Sequence, residues 1–182
     1  MAQAPDDYDM SAAVPPLLAA GLFLGLLAAA QMDRVPRLVW NASASVPLGL
    51  YLVRASDEPS HSDLVAVRLP EAFTSWAVET SYIGADTLLL KRVAAVSGMT
   101  VCRDETDISI DGTTVAQAAR SDRLERALPR WTGSITLGPH VVLLLIADVP
   151  DSLDGRYFGP LPVDAILGQA IPLWAYRGAD DS

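Results

Sequence analysis

One lysine stands apart in this chain of 182 residues. Lys and Arg total 13, and every one of them except Lys91 is an arginine. Arginine keeps its proton in any protein environment, whereas a buried lysine can surrender it. The run Leu88-Leu89-Leu90-Lys91-Arg92-Val93-Ala94-Ala95-Val96 reads as an apolar strand. Alternation along such a strand sends Lys91 inward and Arg92 to the opposite, solvent face. Burial penalises the charged amine and lowers its pKa. Moving it from about 10.4 to about 7 takes about 4 kcal/mol of differential burial. A neutral amine so placed can act as a general base toward a hydroxyl nucleophile.

Candidate nucleophiles lie in Asn41-Ala42-Ser43-Ala44-Ser45-Val46-Pro47-Leu48-Gly49-Leu50-Tyr51. Pro47 fixes its own φ and pushes Val46 into an extended conformation, and Gly49 allows a backbone angle that other residues resist. The spacing predicts a rigid turn presenting Ser43 and Ser45 on one side. A backbone N–H beside such a serine can help to form an oxyanion hole. A third polar cluster is Asp148-Val149-Pro150-Asp151-Ser152-Leu153-Asp154-Gly155-Arg156-Tyr157-Phe158-Gly159-Pro160. Ser152 can hydrogen-bond a nearby amine there, and Asp154 and Arg156, two apart, can hold the loop as an ion pair. Taken singly, each cluster also reads as an ordinary loop or, for Lys91, as a lysine reaching out from a strand edge.

The elements that must position these residues begin with an anchor. Residues 1–10 are polar and acidic and read as disordered. Residues 11–30, SAAVPPLLAAGLFLGLLAAA, carry no charge. About twenty apolar residues span roughly 30 Å as a helix, one hydrocarbon thickness. The expectation is a single transmembrane helix over 11–30, with Pro15 and Pro16 in its first turn. The rival reading is a signal peptide cleaved at Ala28-Ala29-Ala30, which lacks the usual basic n-region.

Beyond the anchor, residues 31–182 are expected to form one mainly β domain of partly closed antiparallel sheets. Short apolar runs at 50–53, 63–69, 87–96, 140–146 and 165–174 read as strands. Ile108-Ser109-Ile110 and Thr113-Thr114-Val115 flank Asp111-Gly112, a hairpin signal of the type I′ kind. Only 116–128 has helical composition, and it reads as a surface helix or a loop insert.

The three clusters, in this order behind an apolar segment, resemble the signal peptidase family, and within it the conjugative-transfer peptidases called TraF. The resemblance spans residues 11–174. It implies a membrane anchor, a periplasmic β catalytic domain and a Ser/Lys dyad. By match to the motifs, Ser45 corresponds to the nucleophile, Lys91 to the general base, and Ser43 to the side-chain donor of the oxyanion hole. Ser152 corresponds to the group that orients the lysine, and Asp154 and Arg156 to a supporting salt bridge. Where the family usually has Asp-Ser-Arg-Tyr, this chain has Asp154-Gly155-Arg156-Tyr157. The preceding loop is short and lacks the Gly-Asp-Asn-Arg run of housekeeping enzymes, which favours the conjugation-type branch. The implied substrate is an exported precursor, the pilin of a transfer apparatus, in some systems also made circular.

Other classes fare worse. A net charge of −9 argues against a nucleic-acid partner. His61 and His140 have no metal-ligand spacing around them, and no metal or cofactor is expected. Cys102 is the only cysteine, so no internal disulfide forms. The remaining alternatives are a housekeeping type I signal peptidase, a self-cleaving repressor, which needs a DNA-binding domain in place of the anchor, and a non-enzymatic anchored β-domain of the transfer channel. Arg34 and Arg37 follow the apolar segment, so the positive-inside rule alone puts the domain in the cytoplasm. The resemblance puts it in the periplasm, on a single-pass inner-membrane anchor, and that is the expectation adopted.

Overall fold

The computed structural model describes residues 19–23, 38–56, 58–84 and 86–176. The disordered start expected at 1–10 lies outside the described residues, as does the expected anchor at 11–30 apart from 19–23, which are helical. Among the described residues no helix is long and apolar enough to cross a membrane. Val35–Ser182 is one compact unit and carries every strand among the described residues.

That unit is mainly β, as the alternating apolar runs predict. Its larger sheet has seven antiparallel strands in the order β1-β2-β11-β3-β4-β9-β10. They are β1 (Leu38–Asn41), β2 (Leu48–Arg54), β3 (Leu64–Val67), β4 (Leu89–Ala95), β9 (Val141–Leu145), β10 (Leu161–Pro162) and β11 (Ile166–Tyr176). A smaller sheet runs β7-β6-β5-β8, from β5 (Thr100–Asp104), β6 (Asp107–Ile110), β7 (Thr113–Gln117) and β8 (Gly133–Thr136). The expected hairpin joins β6 to β7 through Asp111 and Gly112, whose φ values of 48° and 81° are the positive pair that a type I′ turn needs.

Bulges interrupt β11 against both β2 and β3, and β4 against β9. Such extra residues bend and twist a strand, and they curl the large sheet. Gly49 belongs to this geometry: at φ 147° it lies so close to β11 that a Cβ would stand 2.1 Å from the Trp174 carbonyl oxygen. One apolar cluster joins β3, β4 and β9 through Val65, Val67, Val93 and Leu144. A second surrounds Tyr51, Val53, Leu90 and Ile146. A third, with Val101, Ile108, Leu137 and Leu143, ties the small sheet to β9.

Helices fall elsewhere than expected. Of the two readings of 116–128, a surface helix or a loop insert, the structure bears out the loop. The first residues of the segment complete β7, and the rest is a loop closed by a bridge between Ser121 and Ala127. Asp122 explains it: its carboxylate accepts from the backbone N–H groups of Leu124 and Arg126 and from the Arg126 guanidinium. Those bonds compete with helical ones. The helix α1 spans Glu71–Glu79 directly after Pro70, where no helix is expected from composition. A second, one-turn helix α2 spans Gly155–Phe158.

Candidate active site

Position 91 is central in the large sheet, with β3 on one side of β4 and β9 on the other. Lys91 pairs with Val65 across the ladder and is 2% exposed, while its neighbour Arg92 faces solvent and donates to the Ser62 carbonyl. The in-and-out placement follows from strand alternation. Burial lowers the Lys91 pKa from 10.5 to about 8; the Asp154 carboxylate opposes the shift and the Arg156 guanidinium adds to it. At that value roughly one molecule in ten carries a neutral amine at pH 7, against about three in ten thousand for a free lysine.

The amine has two hydroxyl neighbours. Lys91 Nζ lies 2.9 Å from Ser152 Oγ and 3.3 Å from Ser45 Oγ. Ser45 Oγ lies 3.0 Å from Ser43 Oγ. The three clusters of the sequence, 46 and 61 residues apart in these pairs, therefore meet at one point.

The serine turn follows β1 directly and is held from inside. Tyr51, 1% exposed, donates its hydroxyl to the Pro47 carbonyl at 2.7 Å. Buried Asn41 donates from Nδ2 to the carbonyls of Ser43, Val46 and Pro47. Both residues belong to the sequence motif, but their contacts show why: they cap the carbonyls of a turn that has no strand partner.

The loop bearing Ser152 is fixed by the expected ion pair. Arg156 Nε lies 3.0 Å from Asp154 Oδ1, and both side chains are at most 1% exposed. Buried pairs hold when their remaining hydrogen-bond positions are filled. Here Asp154 also accepts from the backbone N–H of Ile146 and of Arg156, capping α2. Arg156 donates further to the carbonyls of Pro150 and Ile146. Two supports were not legible in the sequence. Arg103 of β5, 3% exposed, donates to the Arg156 carbonyl and ties the small sheet to this loop. Gly155 lies against β9, where a Cβ would stand 2.6 Å from the Leu144 carbonyl oxygen. That close approach leaves no room for a side chain at this position.

Among the described residues no three His, Cys, Asp or Glu side chains gather as a metal site would require. The chemistry on offer is that of an amine, three hydroxyls and backbone N–H groups, which suits acyl transfer.

Known proteins match this chain along most of its length. The Plasmid transfer protein TraF of Escherichia coli is 35% identical over 145 residues, covering 73% of this chain and 80% of that one. The Conjugal transfer protein TraF of Agrobacterium fabrum is 34% identical over 146 residues, 75% and 81% of the two chains. That of Agrobacterium tumefaciens is 32% identical over 172 residues, 88% and 94%. A signal peptidase I from Enterococcus faecalis aligns in three dimensions with a TM-score of 0.37 and 18% identity, over 63% of this chain and 98% of that one. The family described as signal peptidase, peptidase S26, matches residues 10–174. On that match, which takes in all three clusters, and on the identity to the transfer proteins, the chain belongs to the signal peptidase family.

Proposed function

We propose that this protein is a membrane-anchored serine endopeptidase that matures an exported precursor, the pilin of a conjugative apparatus, through a Ser45/Lys91 dyad. The observation that carries the reading is the position of Lys91 Nζ, buried between the hydroxyls of Ser45 and Ser152. Neutral Lys91 takes the Ser45 proton as the Ser45 oxygen bonds to the scissile carbonyl carbon. The carbonyl oxygen becomes an oxyanion, held by the Ser45 N–H and the Ser43 hydroxyl. Lys91 then returns the proton to the leaving amine as the C–N bond breaks. Water releases the acyl group, or an amine of the same chain does so and closes a ring. Ser152 orients the lysine, and the pair Asp154–Arg156 fixes Ser152.

Two further features support the reading. Among the described residues β1 pairs only with β2, which leaves its other edge to an extended peptide right before the nucleophile turn. The outer face of β1, β2 and β11 is apolar: Leu50 lies in register between Trp40 and Trp174, which are 55% and 60% exposed, and Tyr176 adjoins Trp174. Soluble domains rarely expose such patches, and Trp and Tyr favour the membrane–water interface. Both fit an enzyme that takes an extended peptide at a membrane surface.

The test is incubation of the purified protein with the pilin precursor of a conjugative apparatus, followed by mass spectrometry of the products. Cleavage by wild type and none by Ser45→Ala is the expected result. Equal processing by both removes the peptidase reading and leaves a channel component. A reporter fused after Ser182 that is active only in the cytoplasm removes the periplasmic assignment.

A further inference from the structure

The carboxamide of Asn41 is buried at the end of β1, and both its ends face the turn that carries Ser45. Nδ2 donates to the carbonyl oxygens of Ser43 at 2.8 Å, Val46 at 3.0 Å and Pro47 at 3.1 Å. Oδ1 accepts from the Ser43 N–H at 3.2 Å and from the Ser43 hydroxyl at 2.9 Å. These neighbours decide which end is nitrogen, because a flipped carboxamide would set its oxygen against three carbonyl oxygens.

That orientation fixes the protons beyond it. Oδ1 can only accept, so the Ser43 hydroxyl uses its single proton on Asn41. The contact of 3.0 Å between the two serine hydroxyls is then donated by Ser45. Protonated Lys91, which has no lone pair, donates to Ser45 in turn. A one-way chain of donors runs from Lys91 through Ser45 and Ser43 to Asn41. In this arrangement the would-be oxyanion donor is already occupied.

We propose that Asn41 is a positioning residue for the reaction: its carboxamide fixes the turn that presents Ser45 and holds the Ser43 proton until negative charge develops on the substrate oxygen. The inference rests on the roles of Ser45, Ser43 and Lys91 given above. A hydrogen bond to an ionised acceptor is roughly twice as strong as a neutral one. Ser43 therefore leaves Asn41 for an oxyanion but gains little by leaving it for an uncharged carbonyl. Loss of the Lys91 proton turns Ser45 round: the free lone pair of Nζ accepts the Ser45 O–H, and Ser45 no longer donates to Ser43. Holding the donor back in this way confines its stabilisation to the transition state, which is what raises kcat.

The test uses the full chain in detergent micelles and a tripeptide boronate, whose boron accepts the Ser45 oxygen and forms a tetrahedral adduct. Ser43→Ala and Asn41→Ala should each weaken the adduct by about tenfold or more, the scale of losing one oxyanion donor. The double variant should be no more than about threefold weaker than the weaker single one, because both changes remove the same interaction. A purely structural Asn41 lowers affinity by the same factor with or without the Ser43 hydroxyl, so losses that multiply overturn the inference, as does wild-type affinity in Asn41→Ala. If wild type forms no adduct, the dyad reading fails and takes this inference with it. Should Asn41→Ala not fold, the side-chain amide signals of Asn41 are compared by NMR in wild type and Ser43→Ala. They should move when the hydroxyl is removed, and unmoved signals overturn the inference equally.

Discussion

Lys91 Nζ donates to Ser152 Oγ over 2.9 Å, and both side chains are at most 3% exposed. The hydroxyl does two things there. It aims the amine, and by accepting from the ammonium it favours the charged form. Ser152→Ala separates them. Turnover should fall roughly ten- to a hundredfold, in the range for misplacing a reacting group. The midpoint of the pH–rate profile should move to lower pH, because a partner of the charged amine is gone. A midpoint that moves upward contradicts this account of Ser152.

The pair Asp154–Arg156 predicts a different signature. Arg156 is 1% exposed, and without the carboxylate its charge stays buried with no counter-ion. Asp154→Ala should lower stability by about 3–5 kcal/mol, the usual loss for half of a buried pair. It should also drop the Lys91 pKa further, since Asp154 opposes the shift caused by burial. Chemical denaturation measures the first effect and the pH–rate profile the second. A variant as stable as wild type would mean that the hydrogen bonds from Arg156 to the Pro150 and Ile146 carbonyls suffice.

Ser43 Oγ lies 3.0 Å from Ser45 Oγ, near enough to reach an oxyanion on the carbonyl that Ser45 attacks. Ser43→Ala should reduce kcat by roughly ten- to a thousandfold with KM nearly constant, because the donor matters mainly in the transition state. Steady-state kinetics on the pilin precursor supply both constants. A raised KM at unchanged kcat would make Ser43 a ground-state contact instead.

Some of this arrangement is legible in the sequence, for physical reasons. A lone lysine in an apolar strand announces its burial. Pro47 and Gly49 announce a turn, and Asp154 and Arg156 a local pair. The meeting of Ser45, Lys91 and Ser152 is harder to read, because it depends on β4 lying between β3 and β9 in a seven-stranded order that no local pattern encodes. Arg103 is hidden for the opposite reason. An arginine in a strand reads as exposed, and only the packing of the small sheet against α2 turns it inward to the Arg156 carbonyl. Helix α1, with Phe73, Thr74, Trp76 and Val78, carries residues of modest helix propensity and is set by packing, whereas 116–128 carries good helix formers overruled by one aspartate.

The only lysine carries the sharpest prediction. Lys91→Arg keeps a positive charge but cannot become a base. It should be as inactive as Ser45→Ala, and less stable than wild type above about pH 8, where the wild-type amine sheds its charge and the arginine keeps one in an apolar site. In wild type, activity should rise with pH through a midpoint near the buried lysine's pKa of about 8. Stability follows the same titration. The folded pKa lies below the unfolded one, so between about 8 and 10.5 the unfolded chain binds more protons and stability climbs with pH. Below that window wild type bears the full penalty of a buried ammonium, about 3 kcal/mol for a shift of this size. Lys91→Met, of similar length and without charge, escapes the penalty. It should therefore be inactive yet more stable than wild type at pH 7, with an advantage that fades as pH passes 10.5. Denaturant titrations of both proteins at pH 7 and above the window, beside a cleavage assay, decide the matter. Substantial cleavage by Lys91→Arg removes the dyad, and a Lys91→Met variant whose advantage over wild type is no greater at pH 7 than above the window shows that the amine is not desolvated in the folded protein.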